Sequence, residues 1–404
     1  AIMATDIAEV IGGAIALYLL FHIPLGLAVF ITVFDVLLLL LLTKIGFRKI
    51  EAIVVALIVV IFVIFAYQVA LSNPVWGDVI KGLVPSAEAF STSHAVNGQT
   101  PLTGALGIIG ATVMPHNLYL HSSVVQSRKI DRKDKTDIQR ALRFSTWDSN
   151  IQLTMAFFVN SLLLIMGVAV FKSGSVKDPS FFGLFDALSN PAVMSNSILA
   201  HIAGSGILSI LFAVALLASG QNSTITGTLT GQIIMEGFIH MRVPIWLRRM
   251  VTRLLSVIPV LICVLMTSGK STVEEHIAIN NLMNNSQVFL AFALPFSMLP
   301  LLMFTDSRVE MGEHFKNSWL IKLLGWVSVI GLIYLNMKGL PDQIEGFFGD
   351  NPTASQITLA DNIAYVIIAL VILLLVWTVV ELYKGDKRYA QQLAAMEQQV
   401  EEVK

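Results

Sequence analysis

The chain has 404 residues, of which 55% are hydrophobic and only 13% charged, and its net charge is −1. A soluble domain carries roughly 25% charged residues, so this composition is that of a membrane protein. The near-neutral balance argues against a nucleic-acid partner, and the single cysteine, Cys263, excludes a disulfide framework and a thiolate metal cluster.

A bilayer-crossing helix needs about 20 mostly apolar residues. The first such run covers 1–21, with no charged region or small-residue cleavage site of a signal peptide before it. It carries Asp6 and Glu9, spaced i, i+3 and therefore on one face. Two neighbouring carboxylates in an apolar setting do not both ionise cheaply, which suits proton carriers. The plainer reading is a helix that starts at the membrane surface with Asp6 merely wet. The next runs are 24–43, where Asp35 sits among leucines with no obvious partner, and 51–71. The segment 72–102 is a linker or lid.

The run 103–124 holds the most informative stretch, Gly110-Ala-Thr-Val-Met-Pro115-His-Asn. Pro115 has no N–H, so a helix passing through it leaves the carbonyl four residues back, that of Ala111, without a partner. At membrane depth such a group is tolerated where it is buried in protein or lines a cavity. Met114 lies three residues on and can face the same side. A carbonyl oxygen beside a soft thioether suits a borderline transition metal better than hard Ca²⁺ or Mg²⁺. A proline kink packed by a flexible methionine is the competing reading. His116, Asn117 and His121 follow directly, and polar groups at that depth are costly. His116 is read as a proton relay or gate ahead of a direct ligand or a packed polar group.

Further runs are 145–171, opened by Asp148 as a helix-terminal charge, and 198–219. The Gly-, Ser- and Thr-rich segment 220–240 extends the latter, with Gly227 and Gly231 spaced for close helix packing. The run 251–268 begins near Arg253, which either pairs with a buried carboxylate or snorkels to the interface. The run 285–304 begins near Gln287, which offers a neutral oxygen ligand or is a packing polar residue. The runs 319–337 and 362–383 complete about ten spans, and 384–404 is a polar, helix-prone tail. Segments 172–197 and 338–361 are linkers or lids like 72–102.

Basic residues alternate along these connections. Of the 26, only Lys81, Lys172, Lys177, Lys270 and Lys338 fall on one side. The positive-inside rule places the other set, and the C-terminus, in the cytoplasm. The expectation is a multi-pass cell-membrane protein. No phosphate loop and no nucleophile with a neighbouring base point to an enzyme.

At these residues a family resemblance becomes specific. Ala1-Ile-Met-Ala-Thr-Asp-Ile-Ala-Glu-Val-Ile-Gly resembles the start of the third transmembrane helix of the Nramp family of divalent metal transporters. Gly110-Ala-Thr-Val-Met-Pro-His-Asn-Leu-Tyr-Leu-His-Ser-Ser resembles the sixth helix of that family, and Ser286-Gln-Val with Leu294-Pro-Phe its tenth. The resemblance covers nearly the whole chain. It implies an all-α, LeuT-type inverted-repeat fold, residues 1–404 forming one transmembrane transporter domain. It implies about ten helices of an expected twelve, the first two absent together with the family's Asp-Pro-Gly-Asn motif, which completes the metal site. It implies proton-driven import of Mn²⁺ or Fe²⁺ as substrate, no cofactor, and a monomer in the lipid bilayer. Metal ligands would be the Ala111 carbonyl and the Met114 sulfur, with Gln287 contributing. The proton route would use Asp6, Glu9, His116 and Arg253. The alternative is an organic-substrate symporter of the same fold, which calls for a break rich in Gly and Ser without Met114.

Overall fold

A computed structural model of the chain describes residues 2–34, 47–93, 100–126, 130–131, 134–171, 178, 180–234, 237, 244–267, 271–348 and 352–402. In chain order the helices are α1 (Ile2–Phe21), α2 (Leu25–Thr32), α3 (Phe47–Ser72), α4 (Trp76–Lys81), α5 (Pro101–Thr112), α6 (Pro115–Val125), α7 (Lys135–Ala169), α8 (Phe181–Ser189), α9 (Ser197–Ala203), α10 (Ile207–Ile234), α11 (Ile245–Thr267), α12 (Thr272–Asp306), α13 (Arg308–Phe315), α14 (Trp319–Gly346) and α15 (Ala354–Glu402). Among the described residues, seven helices are long and apolar enough to cross a membrane. They match the expected runs other than 24–43, 103–124 and 251–268. The first of these three passes out of the described residues after α2, taking Asp35 with it. The second is broken, and the third is a shorter apolar helix, Arg253–Thr267. Large apolar side chains such as Leu373, Val376 and Trp377 on α15 are exposed, as expected of surfaces that lipid covers.

Several expected boundaries move. The run at 145 belongs to a helix that starts at Lys135, because the Asp134 side chain accepts from the Thr136 N–H and caps it. Bonds from the Thr136 hydroxyl and then its N–H hold the Asp134 carboxyl below the usual carboxylate range. Asp148 is therefore inside α7, on an exposed face, where Gln152 donates to it at 3.1 Å, and is not a helix-terminal charge. The run at 198 splits. α9 ends at Ala203, Gly206 takes φ +73, and the long helix begins at Ile207. Gln287 lies mid-way along α12 rather than at its start, and α14 continues to Gly346 through residues expected to be loop.

The described residues form two compact units. One comprises residues 86–115 and 287–404. Its core joins Leu102 and Leu106 of α5 to Val288 and Ala291 of α12. A second apolar cluster joins Leu299 of α12, Val329 of α14 and Leu375 of α15. Inside α12, Pro295 cannot bond the Ala291 carbonyl. The Asn336 side-chain amide of α14, fully buried, donates to that carbonyl at 2.8 Å instead.

The other unit comprises residues 2–85 and 116–286. Val10, Ile11, Ala14 and Ile15 of α1 pack on Ala28 and Val29 of α2, Ala213 of α10 and Val257 and Val260 of α11. A second cluster joins Phe65 and Val69 of α3, Met166 of α7 and Leu208 and Phe212 of α10. Within the segment expected to be a linker or lid, the described residues 178 and 180–197 are tied into this unit. The Phe182 ring of α8 is buried and stacks on His276 at 3.7 Å, and His276 Nδ1 lies 3.6 Å from the Asp178 carboxylate.

Candidate functional site

The helix break expected from Pro115 is present as a full interruption. Thr100 caps α5 by accepting from the Thr103 N–H, Pro101 occupies the first helical position, and the helix stops at Thr112. Val113 has φ −103 and ψ 77, outside the helical region, and α6 starts afresh at Pro115. This is more than a kink. The last turn of any helix leaves carbonyls without intrahelical donors. Here Val113 N–H reaches the Ile109 carbonyl at 2.8 Å, and among the described residues the Ala111 carbonyl has no such partner. Ala111 is exposed and Met114 half-buried.

Gln287 is brought against this break. A Cβ placed on Gly110 would lie 1.9 Å from the Gln287 carbonyl oxygen and 3.0 Å from the Ala291 nitrogen. Only glycine allows α5 and α12 to come this close. The crossing therefore sets the end of α5, and so Ala111, beside the turn of α12 that bears Gln287. Gln287 is 8% exposed. A backbone oxygen, that of Ala111, and the Met114 thioether thus follow directly after the residue that crosses the Gln287 turn. That donor set can hold a borderline divalent cation. Among the described residues no group of three or more His, Cys, Asp or Glu side chains could do so.

In the other unit, α1, α10 and α11 enclose a buried ion pair. Glu9 Oε2 lies 2.9 Å from Arg253 Nη1, and both side chains are 2% exposed. Arg253 therefore does not snorkel. It also donates from Nη2 to Thr224 Oγ1 at 3.1 Å and from Nε to the Thr32 carbonyl at 3.5 Å. Ser223 donates to Glu9 Oε1 at 2.8 Å and Thr224 to Oε2 at 3.2 Å. Gly227 lies one turn on from Ser223, and a Cβ on it would sit 3.0 Å from Glu9 Oε1. Burying two charges costs several kcal/mol per ion unless every polar atom finds a partner, and this array supplies them. Asp6 is buried one turn before Glu9 on α1, so the surface-wetted reading of it does not hold. His116 is the second residue of α6, in the same unit, with its side chain outside the described residues.

Sequence reasoning missed Ser223, Thr224 and Thr32 around the ion pair. The available signal was the run of hydroxyl residues and glycines interrupting an apolar helix at 220–231. Gly227 fits the expected close packing, its neighbour being the Glu9 carboxylate, whereas Gly231 has nothing within 4 Å.

The model of the family described as natural resistance-associated macrophage protein-like, Nramp, matches residues 1–341. The chain is 55% identical over 337 residues to the divalent metal cation transporter MntH of Pediococcus pentosaceus, covering 83% of this chain and 71% of that protein. It is 52% identical over 337 residues to MntH of Latilactobacillus sakei, covering 83% and 70%. Its structure resembles the crystal structure of the Eremococcus coleocola manganese transporter in complex with an aromatic bis-isothiourea substituted compound. The TM-score is 0.88 and the identity 63%, over 95% of this chain and 78% of that one.

Proposed function

Since the chain belongs to the Nramp family of divalent metal transporters, we propose that it imports Mn²⁺ and Fe²⁺ across the cell membrane by proton coupling. The observation that carries this reading is the interrupted helix at Val113–Met114, set against Gln287 by the Gly110 crossing. The Ala111 carbonyl and the Met114 sulfur bind the ion, and the Gln287 side chain contributes an oxygen. The thioether favours Mn²⁺ and Fe²⁺ over Ca²⁺, because a hard ion gains little from sulfur. Glu9, paired with Arg253 and one turn from Asp6, carries the proton, and His116 passes it on. The C-terminal tail faces the cytoplasm, following the distribution of basic residues, and the transporter works as a monomer.

The test is uptake by the reconstituted protein in proteoliposomes under an inward proton gradient, with Ca²⁺ as control. Mn²⁺ entry accompanied by acidification of the lumen is expected. Absence of both Mn²⁺ and Fe²⁺ uptake overturns the reading and makes an organic substrate the next to assay. Met114→Ala should weaken Mn²⁺ uptake by about tenfold, the equivalent of roughly 1.4 kcal/mol, and should admit Ca²⁺. Continued exclusion of Ca²⁺ in that variant refutes the role given to the thioether.

A further inference from the structure

The two oxygens of the Glu9 carboxylate are held unequally, and the difference identifies where a proton can land. At Oε2 both neighbours arrive as donors, Arg253 Nη1 at 2.9 Å and Thr224 Oγ1 at 3.2 Å. A guanidinium has no acceptor, so it cannot turn round to receive a proton-bearing oxygen. The Thr224 hydroxyl already accepts from Arg253 Nη2 at 3.1 Å, which fixes its direction. At Oε1 the approach is from α10, by the Ser223 hydroxyl at 2.8 Å, with the bare Gly227 backbone beside it. A serine hydroxyl offers one donor and two acceptor positions and rotates to suit its surroundings.

We propose that Ser223 is a positioning residue for proton uptake, its hydroxyl reversing from donor to acceptor when Glu9 takes a proton on Oε1, while Thr224 holds Arg253 in place. The proposal rests on the proton-carrying role given to Glu9 above. A proton delivered by hydronium bonds to Oε1 as the hydronium O–H bond breaks and water leaves, and the Glu9 O–H then donates to Ser223 Oγ as the serine hydrogen swings away. Arg253 and Thr224 keep their bonds to Oε2 throughout, so the array around that oxygen need not rearrange. Among the described residues, the charged groups near Glu9 are Arg253 on α11 and Asp6 one turn earlier on α1. The flanking turn of α10, from Ser223 to Gly227, brings hydroxyls and no charge.

The experiment measures proton flux and Mn²⁺ uptake against external pH in proteoliposomes for the wild type, Ser223→Ala, Ser223→Thr, Ser223→Cys and Glu9→Gln. Thermal unfolding and Mn²⁺ binding are followed in parallel. Ser223→Ala is expected to lower proton flux several-fold and to move the pH of half-maximal uptake by about half a unit or more, with Mn²⁺ binding retained. Ser223→Thr, which keeps the hydroxyl, should restore both. Should the alanine variant fail to fold, Ser223→Cys supplies the reading, since a thiol is a weak donor and weak acceptor and should show the same loss. Wild-type flux and pH profile in the alanine or cysteine variant overturn the proposal. Loss that the threonine variant does not restore also overturns it, because a hydroxyl is then not what matters. Unchanged proton flux in Glu9→Gln instead removes Glu9 from the route, a failure of the underlying reading and separate from that of Ser223.

Discussion

Gly110→Ala is the substitution that most directly tests how the break is built. In an ordinary helix the change stabilises by up to about 1 kcal/mol, because alanine loses less backbone entropy. At Gly110 the new Cβ would meet the Gln287 carbonyl oxygen at 1.9 Å, where ordinary contact begins at 3.4 Å. α5 and α12 must separate by roughly the difference, about 1.5 Å, and backbone cannot swing aside as a side chain can. Overpacking of this kind costs about 1–3 kcal/mol, so the clash outweighs the helix-propensity gain. The same displacement carries Ala111 away from Gln287. A misplacement of about 1 Å at a functional site can cost about a hundredfold, so Mn²⁺ affinity should fall by ten- to a hundredfold. Gly104→Ala on the same helix is the control, since its Cβ would meet nothing within 4 Å. Thermal unfolding in detergent and Mn²⁺ titration calorimetry on the two variants separate the effects. Gly104→Ala should bind as wild type. Wild-type Mn²⁺ affinity in Gly110→Ala would refute the claim that this crossing positions the site.

Arg253→Met should destabilise by about 3–5 kcal/mol, because it leaves the Glu9 carboxylate buried without its counter-charge. Adding Glu9→Gln should recover most of that loss in thermal unfolding, and a double variant no more stable than Arg253→Met would show the pair is not coupled. Asn336→Leu should cost about 1–3 kcal/mol, since the Ala291 carbonyl loses its donor inside a packed core. An unchanged unfolding midpoint there would mean that the carbonyl finds another partner.

What the sequence made legible was whatever is local. Pro115 forbids one hydrogen bond wherever it lies, so the break could be read from the chain. Spacing puts Asp6 and Glu9 on one face of α1 without reference to any other helix. The Glu9–Arg253 bond is different, because it links residues 244 apart and its existence depends on how α1 and α11 pack. Two readings of Arg253 therefore stood until burial to 2% decided between them. Gly104 and Gly110 look alike in sequence, yet one faces open space and the other a backbone 1.9 Å from its missing Cβ. Helix starts were misplaced where polar residues precede an apolar run, as at Glu274, Glu275 and Asn280 before Gln287. Hydropathy finds the part of a helix that lipid can cover, whereas the helix itself continues as long as its backbone bonds do.

Pro295 and Pro115, both in the unit that holds the break, meet different surroundings. Pro295 and Pro115 create the same defect, a carbonyl whose donor four residues on does not exist. In α12 the defect is repaired. Asn336 reaches across from α14, is itself fully buried, and bonds the Ala291 carbonyl at 2.8 Å, within a helix that runs from Thr272 to Asp306. At Ala111 there is no such repair among the described residues, and the helix stops. Ala291 is fully buried, so its carbonyl needs that partner, whereas Ala111 is exposed and its carbonyl is open to partners from outside the helix. The chain thus already uses the repair in one place and leaves it out where a methionine sulfur and a glutamine stand nearby. On the function proposed above, the transported ion would give the Ala111 oxygen the kind of partner that Asn336 gives the Ala291 carbonyl.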